Sequence, residues 1–237
     1  MPDLRGLRKK ADRDGSNPSL LTDAAAADSP AWSPDGRQIA YTCRFTSAAE
    51  DICTIGSAGG RPRRLTGHPA RDMLPSWSRD GGWIYFASDR TGTSQTWKMP
   101  SDGSGPGAQV TQGGGFGGTE SKDGRFLFFA KSLISSPVWR VPVGGGDEVP
   151  VADGVRSLRL PQNFAIGQDG IAFAYSKDPM RSFELRFYRF ATRTVETVTR
   201  VERGLGNGMA VSPDGTRLLF TTEELRSGDL IMVERFQ

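Results

Sequence analysis

One histidine and two cysteines are all that these 237 residues offer to a Ser-His-Asp arrangement or to a metal site of the Cys/His kind. A Ser-His-Asp arrangement would have to recruit His68. No Gly-x-Ser-x-Gly elbow accompanies it, and its place between two apolar segments reads as a loop with a solvated ring. A zinc site of cysteines and histidines is excluded by count. Asp12-Arg13-Asp14-Gly15-Ser16-Asn17 spaces oxygens as a calcium loop does, but lacks the closing bidentate glutamate and the flanking helices. The run Gly113-Gly114-Gly115-Phe116-Gly117-Gly118 opens no helix and carries no Lys-Ser/Thr pair, so it is no phosphate cradle. The expectation is a chain that is not an enzyme and holds no cofactor and no metal.

Cys43 and Cys53 flank a hairpin centred near Ala48, so they could face one another within disulfide range. The preferred reading is two small buried hydrophobes, with the disulfide as the alternative.

The elements that must position these residues come from a repeat. An Asp-Gly pair recurs at Asp35, Asp80, Asp123, Asp169 and Asp214, at separations of 45, 43, 46 and 45 residues. Self-similarity at that period signals an array of supersecondary units. In Ser33-Pro34-Asp35-Gly36, proline takes the second turn position and glycine the last, as a type I turn prefers. Each copy then carries bulky apolar residues four and six positions past the Asp: Ile39 and Tyr41, Ile84 and Phe86, Leu127 and Phe129, Phe173 and Tyr175, Leu218 and Phe220. The position between them is apolar too, so both faces of the strand are expected to be buried. A third strand follows (52–55, 96–99, 138–141, 185–190, 230–233). Next come a turn, glycine-rich in the first three units, and, in the first four, a short fourth strand, as in Arg64-Leu65-Thr66. Four-stranded antiparallel sheets at this period form an all-β fold, the β-propeller.

The units from Pro30 to Thr66 and from Pro75 to Thr111 resemble TolB-type propeller repeats, and the resemblance extends over about residues 17–237. It implies a propeller in a family whose members scaffold assemblies through protein contacts and commonly have six blades or more; the five repeat units give five blades here, as in a shortened member or a fragment. Related repeats also occur as sensory halves of larger bacterial regulators.

The fifth unit ends before its fourth strand, whereas Leu20-Leu21-Thr22 is a fourth strand without a blade. Pairing the two would close the ring without an open edge. Residues 1–16 are then a basic tail or the remnant of an earlier blade, and residues 1–13 should pack poorly.

Charge and composition exclude several partners. The net charge of +3 is spread over the blades, which argues against nucleic acid. No apolar stretch approaches a membrane span, and no signal core precedes the repeats. A cytoplasmic monomer is expected, with the periplasm as the alternative.

The innermost-strand position three before each Asp holds Trp32, Trp77, Glu120, Ile166 and Val211, so Glu120 alone is charged. A buried carboxylate needs a cation or a wet channel. Glu120, Phe116 in the glycine run, His68, Arg71, and Arg159 and Asn163 in the lengthened fourth unit are the candidate binding residues. Arg44, Arg90, Lys131 and Lys177 should pair locally with acids such as Asp51 and Asp89. The expected function is a scaffold binding a protein or peptide; the alternatives are a small-ligand sensor using the channel and an accessory propeller of a peptidase-like enzyme.

Overall fold

Four of the five Asp-Gly corners are clamped by a serine two residues earlier. Ser33 Oγ donates to Asp35 Oδ1 at 2.6 Å and accepts the Gln38 N–H at 2.9 Å, while the same carboxylate oxygen accepts the Arg37 N–H. The pattern repeats at Ser78–Asp80, Ser121–Asp123 and Ser212–Asp214. The closing glycines, Gly36, Gly81, Gly124 and Gly215, have φ of +69° to +76°, a conformation that glycine adopts without a Cβ penalty. Gly170 in the fourth corner differs: a Cβ there would lie 2.0 Å from Tyr188 O, so glycine is needed for close approach rather than for φ.

The computed structural model describes residues 8–10, 16–22, 27–44, 49–159, 161, 163–212, 214–224 and 227–234. The chain divides into two compact units, Met1–Gly118 and Thr119–Gln237. In the first, β1 (Arg8–Lys10) and β2 (Ser19–Thr22) form an antiparallel pair. The first sheet is β3 (Ala27–Trp32), β4 (Gln38–Cys43), β5 (Asp51–Gly56) and β6 (Arg63–Arg64), in that order. The second repeats it with β7 (Asp72–Trp77), β8 (Trp83–Ser88), β9 (Gln95–Pro100) and β10 (Ala108–Gln109).

β11 (Phe116–Glu120) leads into the third sheet, with β12 (Phe126–Ala130), β13 (Ser135–Pro142) and β14 (Val149–Pro150); β15 (Arg156–Leu158) pairs with the start of β13. The fourth sheet is β16 (Phe164–Ile166), β17 (Gly170–Tyr175), β18 (Phe183–Arg189) and β19 (Val195–Val201). The fifth is β20 (Gly204–Val211), β21 (Arg217–Glu224) and β22 (Ser227–Glu234), three strands among the described residues.

Two expectations are corrected. Leu20–Thr22 was expected to complete the fifth sheet; among the described residues β2 pairs with β1 instead. Only eight residues separate Lys10 from Ser19, so the closure entropy of this hairpin is small. Arg8–Lys10 is thus a strand, and residues 1–7 and 11–15, on which most of the expectation of poor packing falls, lie outside the described residues. Cys43 and Cys53 form a disulfide rather than two free thiols. Their register is diagonal, with Cys43 opposite Asp51 and Cys53 opposite Tyr41, yet the Cα atoms are 5.9 Å apart.

Both parities of the second strands are buried, as their sequences require. Ala40, Ile52, Ile84, Phe86 and Met99 join the first sheet to the second, and Cys43, Cys53, Ile39 and Tyr41 pack on the other face with Leu21 of β2. In the second unit, Phe128, Val138, Ile171 and Phe173 fill the space between the third and fourth sheets. Phe183, Leu185, Phe187, Leu218 and Phe220 fill the space between the fourth and fifth. Each such side chain contributes about 1.5–3 kcal/mol on burial, and no sheet here could hide both faces by itself.

β6 and β10 end just before Leu65-Thr66 and Val110-Thr111, the pairs that mark them in sequence. Thr66 Oγ1 accepts the Ile52 N–H at 2.9 Å, and Thr111 Oγ1 accepts the Thr96 N–H at 2.8 Å, so a hydroxyl takes over where the backbone ladder stops. Gln95 and the Gly113–Gly115 corner close the same network: Gln95 Oε1 accepts the Gly114 N–H and the Thr111 hydroxyl. A Cβ on Gly115 would lie 2.6 Å from Thr96 N, which accounts for one glycine of the run.

Candidate functional site

The innermost strands share a bulge that the sequence alone does not announce. Six residues before the corner Asp, Ser29, Leu74, Gly117 and Gly208 all have positive φ, at +52°, +57°, +67° and +107°. The strand pairing slips there, between Asp28 and Ala31, Met73 and Ser76, and Leu205 and Met209. A bulge turns backbone groups out of the ladder, and they need other partners. Thr42 Oγ1 accepts the Leu74 N–H at 3.1 Å, and Thr96 Oγ1 donates to Gly117 O at 3.0 Å.

Asn163 occupies the equivalent position in the fourth unit and is fully buried. Its Nδ2 donates to Leu158 O at 2.8 Å and to Gly206 O at 3.1 Å, and its Oδ1 accepts the Gly208 N–H at 2.8 Å. The amide thus holds the bulge of β20. Arg159, at φ +69°, supports the same strand: its guanidinium donates to Leu205 O and to Glu223 Oε2, the latter at 3.1 Å from both terminal nitrogens. The structure brings these two candidates together as a brace between the fourth and fifth sheets.

Glu120 is buried near the end of β11, and Phe116 is half-buried at its start. In the first unit, His68 lies exposed in the loop after β6, where its Nδ1 accepts the Ala70 N–H at 3.0 Å. Arg71 in the same loop meets Glu50, at 2.9 Å from both Nε and Nη2, and its N–H donates to Asp89 Oδ1. Arg44 binds the other oxygen of Glu50 at 2.7 Å.

Arg44, Arg90 and Lys131 pair with acids as expected, though not with Asp51 or Asp89, and Lys177 has no ion pair among the described residues. Asp51 pairs with Arg64 at 2.8 Å, Lys131 with Glu148 at 2.6 Å, and Arg90 with Asp72, which is fully buried. Arg90 also lies over the Phe86 and Trp97 rings. The strand pleat explains the difference: Asp51 points to the side facing β6, whereas Asp72 opens the next sheet beside Arg90.

The ionisable groups whose pKa values move do so for structural reasons. The serine hydroxyl, followed by a backbone N–H two residues on, lowers the carboxyl of Asp35, Asp80 and Asp214, and brings Asp123 down to about 2. Arg186 likewise lowers Glu184. These carboxylates fasten turns and strands, and none is poised to exchange protons near neutrality. Among the described residues no three His, Cys, Asp or Glu side chains cluster to hold a metal, and no helix is long and apolar enough to cross a membrane.

Sheets of this kind, entered through a clamped Asp-Gly corner and buried on both faces, define the β-propeller class. The TolB beta propeller domain family matches residues 23–141. The chain belongs to that family. It is 39% identical over 90 residues to an uncharacterized protein of Agrobacterium fabrum, covering 38% of this chain and 30% of that protein. It is 31% identical over 138 residues to the Tol-Pal system protein TolB of Bordetella pertussis, covering 39% and 32%. The chain therefore spans about a third of the length of the curated relatives it matches. The crystal structure of TolB from Acinetobacter baumannii superposes with a TM-score of 0.79 over 96% of this chain and 57% of that one, at 21% identity.

Proposed function

We propose that this chain is a non-catalytic propeller domain that binds a protein or peptide partner through the loops at the ends of its sheets. The observation that carries this reading is how the side chains are allotted. Among the candidates, Asn163, Arg159 and Arg71 are engaged in structural hydrogen bonds and ion pairs, whereas Ile134 and Met180 stand 79% and 60% exposed on loops. Loops on a rigid scaffold bind with little ordering cost. The relative from Bordetella pertussis is named a Tol-Pal system protein, which supports the same reading.

The finer readings follow from it. The domain would serve as the interaction half of a larger bacterial protein, with residues 17–237 as the propeller. The β1–β2 hairpin supports taking residues 1–16 as part of an earlier blade rather than as a tail. The Cys43–Cys53 disulfide favours the periplasm over the cytoplasm, because such bonds persist in oxidising compartments.

A thermal-shift screen of the full chain against a panel of small metabolites tests the class of ligand. The expected result is no stabilising metabolite, together with peptide binding that is indifferent to Glu120→Ala. A metabolite that raises the melting temperature, and loses its effect in Glu120→Ala, would replace this reading with the sensor.

A further inference from the structure

Three loops of the second unit converge on one another through Arg159. The Arg159 N–H donates to Ile134 O at 2.6 Å, in the loop joining β12 to β13. Its guanidinium donates to Leu205 O, and the Leu205 N–H in turn donates to Pro179 O at 2.7 Å, in the loop joining β17 to β18. Ile134 and Met180 are thereby held on one end of the sheets, with Leu133 exposed beside Ile134. Three large apolar side chains on a braced surface are an unusual use of solvent-facing positions.

The charges around them are unbalanced in one direction. Asp178 is met by the Met180 N–H and by Arg181, and Glu223 by Arg159. Arg156 and Lys177 are exposed and meet no carboxylate among the described residues. Arg156 donates to Ser135 Oγ, beside Ile134 in sequence. Lys177 precedes the turn that carries Met180. The apolar side chains thus lie in loops that also carry two cations without a carboxylate partner among the described residues.

We propose that Leu133, Ile134 and Met180, flanked by Arg156 and Lys177, form a docking surface for a partner segment that presents an apolar side chain next to acidic residues. This rests on the protein-binding reading above and names its surface and the chemistry of its partner. The apolar contact would supply affinity, and the two cations would select acidic flanks and quicken association.

Panning the full chain against a phage-displayed random peptide library tests it. The expected peptides pair Leu, Ile, Phe or Met with Asp or Glu. Their affinity should fall about tenfold or more in Ile134→Ser/Met180→Ser, and in Lys177→Glu, and should weaken as salt rises. Each replaced side chain is exposed, and unchanged melting confirms the fold. Basic peptides, or affinities untouched by these changes, would overturn the proposal. Peptides lost instead on Phe116→Ala or Arg71→Ala would overturn this surface and leave protein binding standing; no enriched peptide at all would remove both. A concentration-dependent dimer abolished by Ile134→Ser would overturn it in favour of a second copy as occupant.

Discussion

Ser121 Oγ lies 2.6 Å from Asp123 Oδ1, and the same hydroxyl accepts the Phe126 N–H at 3.0 Å. One side chain thus fastens the corner carboxylate and starts the second strand. The hydrogen bond to the ionised form is the leading cause of the depressed Asp123 pKa of about 2, and Arg125 adds to it. A folded-state value below that of the unfolded chain means that ionised Asp123 favours folding above the ordinary carboxyl range. That contribution is lost as pH falls from about 4 toward about 2. Asp35, Asp80 and Asp214 act in the same direction. Urea unfolding followed from pH 5 to pH 2 should show stability declining across this window. Ser121→Ala should shift the Asp123 carboxyl resonance to titrate at higher pH, and an unmoved titration would show that the hydroxyl is not the cause.

The bulges give a pair of opposite effects. Ser29 holds φ +52° with a Cβ that disfavours it, so Ser29→Gly should raise stability by about 1 kcal/mol. Gly208 has φ +107° and open space where a Cβ would go, so Gly208→Ala should cost about 1 kcal/mol or more through the backbone alone. Denaturant midpoints at constant slope check both.

Asp72 is fully buried and accepts two hydrogen bonds of 3.0 Å from Arg90 Nη2. Asp72→Ala leaves the guanidinium facing a dry site and should cost about 3 kcal/mol. Replacing both residues with apolar side chains should cost less than the sum of the single changes. A double-mutant cycle measures the coupling, and additive effects would show that the pair is not energetically linked.

The disulfide closes a short hairpin, with a sequence separation of 10. Chain-entropy reasoning assigns it about 3 kcal/mol. Cys43→Ala/Cys53→Ala, or the reduced protein, should melt lower, and intact mass after alkylation reports whether the thiols are free.

The architecture was largely legible in the sequence because its causes are local. An Asp-Gly corner needs only its serine and glycine, and a run such as Ile84-Tyr85-Phe86 announces a doubly buried strand whatever it packs against. The four-stranded order of the first, second and fourth sheets followed from these signals. The site was less legible. Arg159 and Asn163 stood out as a departure from the repeat, but their hydrogen bonds reach Leu205, Gly206, Gly208 and Glu223, more than 40 residues away. Nothing in a linear pattern carries that partner choice.

What the sequence by itself determined was the repeat, its strands and the clamped corners, since turn chemistry and side-chain alternation act over a few residues. Only the tertiary structure decided that β2 pairs with β1, that Cys43 reaches Cys53 across a diagonal, and that Asp72 rather than Asp51 or Asp89 receives Arg90. These outcomes depend on register and on which sheet lies alongside. A shift of one residue in pairing reverses every side chain, and the neighbour that results is fixed by packing rather than by spacing along the chain.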